Sequence, residues 1–138
     1  MTTEGSTSLS QVRKQYHFRP SEHGLHAWDV DRLIEAAKDL PTELVPLRDI
    51  AELDANYWFG RGSEPTVRAV VGHARLINEA DDSYPIILDP HGGVMDGMHR
   101  VAKALLLGQV EIAAKRLTFL PHPTYSDVAP DDLPYDDQ

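Results

Sequence analysis

No cysteine occurs among the 138 residues. Disulfides, thiolate nucleophiles and cysteine-bound metals are therefore excluded, and a reducing cytoplasm is the expected compartment. No apolar run approaches the roughly 20 residues that span a bilayer, so no membrane association is expected. The opening MTTEGSTSLSQVRK has no apolar stretch of the kind a secretory signal carries. Basic residues are scarce as well, 13 Lys and Arg against 22 Asp and Glu, for a net charge of −9. The last 21 residues hold Asp127, Asp131, Asp132, Asp136 and Asp137 and no Lys or Arg, so −5 lies there and −4 in the body. An acidic body opposes nucleic acid, which needs basic surface to displace counterions.

What is present suits one domain with a core, given 41% apolar residues. Residues 1–15 are Ser/Thr-rich without periodicity and read as a flexible tail. Residues 16–120 read as a single domain, and 121–138 as an acidic, Pro-rich tail that includes Pro121, Pro123, Pro130 and Pro134. The histidine- and aromatic-rich Tyr16–Trp28 reads as an ordered loop broken by Pro20 and Gly24. Asp29 can cap a helix over 30–40, with Val30, Leu33, Ile34 and Ala37 on one face. Glu43–Leu47 reads as a strand, and RDIAEL after it as a helical turn. Gly60–Ser63 reads as a flexible link, followed by a helix from Ser63 or Glu64 that turns Val67, Val70, Val71, Ala74 and Ile77 inward.

Ile86–Leu88 is a continuous apolar run fit for a buried strand. A turn over 89–93 leads to Val94-Met95, then Asp96-Gly97, then a helix from Met98 to Leu107 ended by Gly108. Val101, Ala104 and Leu105 are its expected buried stripe, and 110–117 is expected to close the sheet. The fold class is α+β, a small mixed sheet flanked by helices.

Asp96-Gly97-Met98-His99-Arg100 is the stretch that can carry chemistry. A helix N-terminus exposes unpaired N–H groups and a partial positive charge. Gly97 and Gly93 allow close approach of a ligand to backbone, and Arg100 offers a planar fork for phosphate oxygens. The bland alternative is that Asp96 caps the helix, Gly97 makes the turn and Arg100 pairs with a surface acid. Asp89 and Asp96 could hold Mg2+ beside phosphate or cap backbone N–H groups; capping is the favoured role for Asp96. His91 could line a pocket or lie in solvent. His23-x-x-His26 with His17 lacks a further ligand, so no metal site is assigned. Tyr57-Trp58-Phe59 could stack a nucleobase, but a buried anchor under the loop is the favoured reading. His73 reads as a packing or surface residue.

Gly92, Val94, Asp96-Gly97, His99-Arg100, Gly108 and Ile112, in the order strand, turn, strand, helix, strand, resemble the core of the ParB/sulfiredoxin superfamily. The resemblance covers roughly residues 44–117. Its members include the nucleotide-binding domain of partitioning ParB proteins, sulfiredoxin and an ADP-dependent free-serine kinase. It implies a nucleotide or other phosphate-bearing ligand, ATP, ADP or CTP with Mg2+, held at Asp96, Gly97, His99 and Arg100. It departs from sulfiredoxin, whose cysteine place is Met98, and from ParB, with His99 where Glu stands and no helix-turn-helix to follow. The DG-x-HR form is closest to the serine-kinase-like members. It implies an ATP- or ADP-dependent phosphotransferase whose catalytic carboxylate lies near the first strand, with Glu43, Asp49, Glu52 and Asp54 all candidates. The alternative is a non-enzymatic interaction or regulatory module with a protein partner; a weaker one is a DNA-binding protein or nuclease.

Overall fold

The computed structural model describes residues 14–59 and 64–135. The flexible readings of the first 13 residues and of Gly60–Ser63, and the acids Asp136 and Asp137, lie outside the described residues. The chain divides into two compact units, one of residues 1–36 with 121–138, the other of 37–120. Both contain sheet, and helices are packed on the second, so the class is α+β.

The first unit is a three-stranded antiparallel sheet in the order β1 (Tyr16–Pro20), β2 (Leu25–Asp29), β7 (Tyr125–Val128). The aromatic stretch expected to be a loop is thus a hairpin, with Pro20 ending one strand and Gly24 closing the turn into the next. Gly24 is required there, because a Cβ would stand 3.0 Å from the Asp127 carbonyl carbon and from the Val128 oxygen. Asp127 adopts φ 57° and accepts hydrogen bonds from Ser21 Oγ (2.7 Å) and the His23 N–H (3.0 Å). The Pro-rich end therefore supplies a strand: prolines exclude a long helix but leave an edge strand open to Tyr125–Val128. Trp28 donates to the Pro121 carbonyl at 2.8 Å, and Tyr16 OH donates to the Pro134 carbonyl. Asp29 caps α1 (Val30–Ala37) by accepting the Asp31 N–H at 2.9 Å, as its position predicts. The helix stops three residues short of the expected end, and Ile34 is 50% exposed rather than buried.

The second unit is a four-stranded mixed sheet in the order β3 (Thr42–Pro46), β6 (Glu111–Arg116), β4 (Ile86–Leu88), β5 (Val94–Asp96). β6 pairs antiparallel with β3 and parallel with β4, and β4 pairs antiparallel with β5. The last strand expected to close the sheet thus lies inside it. Ile86, Ile87 and Leu88 are all buried, as a strand flanked on both sides demands. α3 (Met98–Leu106) buries Met98, Val101 and Ala104, whereas Leu105 is 54% exposed. Val45, Leu47, Ile50, Ile86, Leu88, Val94 and these helical residues form one core.

α2 (Val67–Glu79) departs most from the expected pattern. Its cap is Thr66, whose Oγ1 accepts the Ala69 N–H at 3.1 Å; Pro65 precedes the cap. None of its residues is fully buried. The half-buried line is Ala69, His73 and Ile77, and Val67 is 82% exposed with Val70 and Val71 also outward. The helix is turned so that the spacing i, i+4, i+8 around His73 faces α3, and the valine stripe faces away. Lys103 of α3 fastens its far end, donating to the carbonyls of Asn78 (3.1 Å) and Ala80 (2.8 Å), groups that a helix C-terminus leaves unpaired.

Candidate functional site

Gly97 occupies the N-cap position of α3 with φ 104°, a left-handed conformation open to glycine. Its carbonyl accepts the N–H groups of Arg100 (2.9 Å) and Val101 (3.0 Å). A Cβ on Gly97 would stand 2.6 Å from Arg100 Nη2, 2.9 Å from its Nε and 2.7 Å from Ile86 Cγ2. Hence the Arg100 guanidinium lies directly over the first turn of the helix. It is held there by Asp96, with Nη2 to Oδ2 at 2.9 Å and both side chains less than one-fifth exposed. Arg100 Nε is buried with no hydrogen-bond partner among the described residues. Asp96 therefore pairs with Arg100 and does not cap α3, whose cap has no side-chain bond. Capping falls instead to Asp89, which is buried and accepts the N–H groups of His91 (2.7 Å) and Gly93 (2.9 Å) in the hairpin turn. The Gly93 N–H is thus committed to the turn.

His99 points elsewhere. Its Nε2 lies 2.9 Å from Nδ1 of His73 on α2. The indole of Trp58 lies flat over both rings, 4.5 Å from His73 at 17° and 4.8 Å from His99 at 10°. Phe59 meets His73 edge-on at 5.4 Å. Burial lowers the pKa of both imidazoles, and His73 lowers that of His99 further. Sequence reasoning treated Trp58, His73 and His99 separately; nothing in their spacing along the chain joins them.

The four carboxylates also separate. Glu43 and Asp49 line a cleft of about 300 Å3 together with His91, Gly92, Leu88 and Arg116. Arg116 Nη2 reaches Glu43 Oε1 at 3.3 Å, and Arg116 Nη1 would be 3.3 Å from a Cβ on Gly92, whose φ is 93°. Arg116 was not singled out by sequence; its position at the end of a strand gave no local signal. Glu52 instead bonds the Val94 N–H at 2.8 Å, a structural task on the outer edge of β5. Asp54 stands at the rim of an apolar groove of about 430 Å3 lined by Leu47, Ile50, Leu53, Leu105 and Val110.

The cleft is lined by Leu88 of β4, and Ile86 of the same strand lies beside Gly97. Among the described residues no three histidines or carboxylates gather to hold a metal ion, and no helix is long and apolar enough to cross a membrane. Compared with known proteins, the chain matches no family model, no curated protein and no solved structure.

Proposed function

We propose that this protein binds a phosphate-bearing small molecule, a nucleotide foremost, at the start of α3. The observation that carries this reading is the Arg100 guanidinium, laid over Gly97 with Nε unpartnered and Asp96 as its acid. A phosphate oxygen can take the place of the Asp96 carboxylate on Nη2 and give Nε an acceptor, a charge-assisted exchange that leaves the fork fully bonded. The helix N-terminus adds N–H groups and a favourable field. The resemblance to the ParB/sulfiredoxin superfamily points to ATP, ADP or CTP as the ligand class. Mg2+ accompanies the nucleotide as the counterion of its phosphates.

The accompanying reaction is phosphoryl transfer to a small acceptor in the neighbouring cleft. Glu43 or Asp49 is the general base there, and Arg116 orients an anionic part of the acceptor. Calorimetric titration with the Mg2+ salts of ATP, ADP and CTP tests the binding step. Micromolar binding that falls at least about tenfold in Arg100→Ala is expected, equivalent to about 1.4 kcal/mol. No binding to the unmodified protein, or equal binding by the variant, overturns it.

One observation favours a second reading, a non-enzymatic interaction module. The outward valines of α2, Val67, Val70 and Val71, are an apolar stripe of the kind that marks a partner surface. On that reading, Val67→Asp with Val71→Asp abolishes capture of a partner protein by the purified chain, and transfer assays stay silent.

A further inference from the structure

The contact between His73 and His99 is of an unusual kind. Their ring centres are 5.2 Å apart and their planes differ by 22°, with the facing nitrogens at 2.9 Å. Such a separation places the imidazoles edge to edge in nearly one plane, joined by a single N–H···N bond. Trp58 covers that joint plate from one side. Three segments remote in sequence thus converge on one proton: the loop 55–59, α2 and α3.

A pair of this geometry has a definite proton capacity. One of the two facing nitrogens carries hydrogen and the other accepts. With neither ring charged, the bond holds. With one ring charged, it holds again, now as imidazolium to imidazole, and the indole face attracts the cation. With both rings charged, each facing nitrogen carries hydrogen, no acceptor is left, and two like charges stand against each other. The contact must then part.

We propose that His73, His99 and Trp58 form a proton-operated clasp that closes the 55–59 loop and α2 onto α3 and releases them when the pair takes up its second proton. The titratable group facing the joint from α2 is His73 and from α3 is His99. The loop presents Trp58 and Phe59, which do not titrate. Among the described residues no carboxylate or guanidinium is bonded to either ring, and Asp96 at the end of β5 and Arg100 on α3 are bonded to each other. Among the described residues no acid is therefore bonded to the pair to stabilise its doubly charged state. Burial and mutual repulsion both oppose charge here, which places release on the acid side of the ordinary histidine range.

Release has a direct effect on the loop. The pocket of about 250 Å3 under it is lined by Tyr57, Trp58 and Phe59 from above and by Met98, Ala102 and Leu105 of α3 from below. Parting the histidines lifts the roof of that pocket and frees the first turn of α3, including the Nε2 of His99. That this step also alters ligand capture at Arg100 rests on the phosphate-binding reading; the clasp itself does not.

Nitrogen NMR of the histidine rings in the full chain, from about pH 8 to about pH 4.5, reads the protons directly. Trp58 emission and amide exchange over 67–79 are followed on the same samples, in a Trp28→Phe background that leaves one indole. The expected result is two coupled steps for His73 and His99, both below the ordinary value of 6.5. The second step should coincide with a change in Trp58 emission. It should also coincide with an acceleration of about tenfold or more in α2 exchange, after correction for intrinsic chemistry. His73→Phe keeps a flat ring under the indole and takes no proton, so it should abolish the second step and the pH dependence of exchange. Independent titration of the two rings near 6.5, or steps without any change in emission and exchange, overturns the clasp. These readings use the protein alone, so failure to bind nucleotide does not affect them.

Discussion

Glu52 Oε2 accepts the backbone N–H of Val94 at 2.8 Å, 42 positions along the chain. β5 is the outermost strand of its sheet, and Val94 is buried, so this N–H has neither a strand partner beyond it nor water. A carboxylate from the 3-10 turn Ala51–Asp54 fills the gap. Glu52→Ala should lower stability by about 1–3 kcal/mol through an unsatisfied buried donor, and Glu52→Gln by less, since an amide oxygen still accepts. Urea unfolding midpoints of the two variants check the order; equal loss for both would contradict it.

Gly97 and Gly108 both have positive φ, at 104° and 78°, but only Gly97 is crowded. Gly108→Ala meets nothing within 4 Å and should cost only the left-handed conformation, roughly 1–2 kcal/mol. Gly97→Ala adds a collision with Arg100 and Ile86 and should cost clearly more. Thermal unfolding of both proteins gives the steric part by difference. Under the proposed function, Gly97→Ala also displaces the guanidinium and lowers nucleotide affinity, while Gly108→Ala leaves it unchanged.

The lowered pKa values of His73 and His99 set the sign of an acid effect on stability. In the unfolded chain both rings take protons as pH falls through 6.5, whereas in the folded chain they resist until lower pH. The unfolded state then binds more protons, so stability is lost as pH falls from 6.5 toward the folded-state values and is unaffected well above 6.5. Denaturation at about pH 7.5 and about pH 5.5 should show this loss. His73→Phe should reduce the difference, and an unchanged or reversed slope in that variant would count against the assignment.

Lys103 holds the last turn of α2 through two carbonyls. Lys103→Met keeps the aliphatic stem and removes the donors, so about 1–2 kcal/mol of stability should go, with faster amide exchange at 76–80 before the rest of the sheet opens. Uniform acceleration across all elements would instead mean that α2 has no independent fraying.

The legible parts of the fold were those fixed locally. Ile86–Leu88 reads as a buried strand because three apolar residues in a row suit a strand covered on both faces, and it is one. α1 is announced by Asp29, α3 by Asp96-Gly97 and Gly108. Burial was legible only in part: Val101 and Ala104 are inside, but Leu105 and the valines of α2 are not. Periodicity defines an apolar face without saying which neighbour exists to cover it, and α2 turns His73 toward α3 for a bond that only the tertiary structure supplies. Asp96 and Arg100 are four residues apart across the strand-to-helix junction, so their pairing lies within reach of local spacing. Glu43 with Arg116 and His73 with His99 could not, because each joins elements far apart in sequence. The strand Tyr125–Val128 was hidden for a similar reason: four residues among prolines become a strand only when Leu25 and Ala27 are there to receive them.

The position of β6 between β3 and β4 imposes an order on the making of the protein. Those two strands do not pair with each other, and both wait for Glu111–Arg116 to leave the ribosome. Through the preceding translation steps the Ile86–Leu88 hairpin carries an open apolar edge, a species suited to chaperone capture or to aggregation. The first unit waits longer still, since its hairpin at 16–29 receives its third strand only from 125–128. Nascent chains arrested before residue 111 should therefore be protease-sensitive along most of their length. Resistance should arrive in two late steps, first in the sheet of β3 to β6 and then over 16–29 together with 125–128.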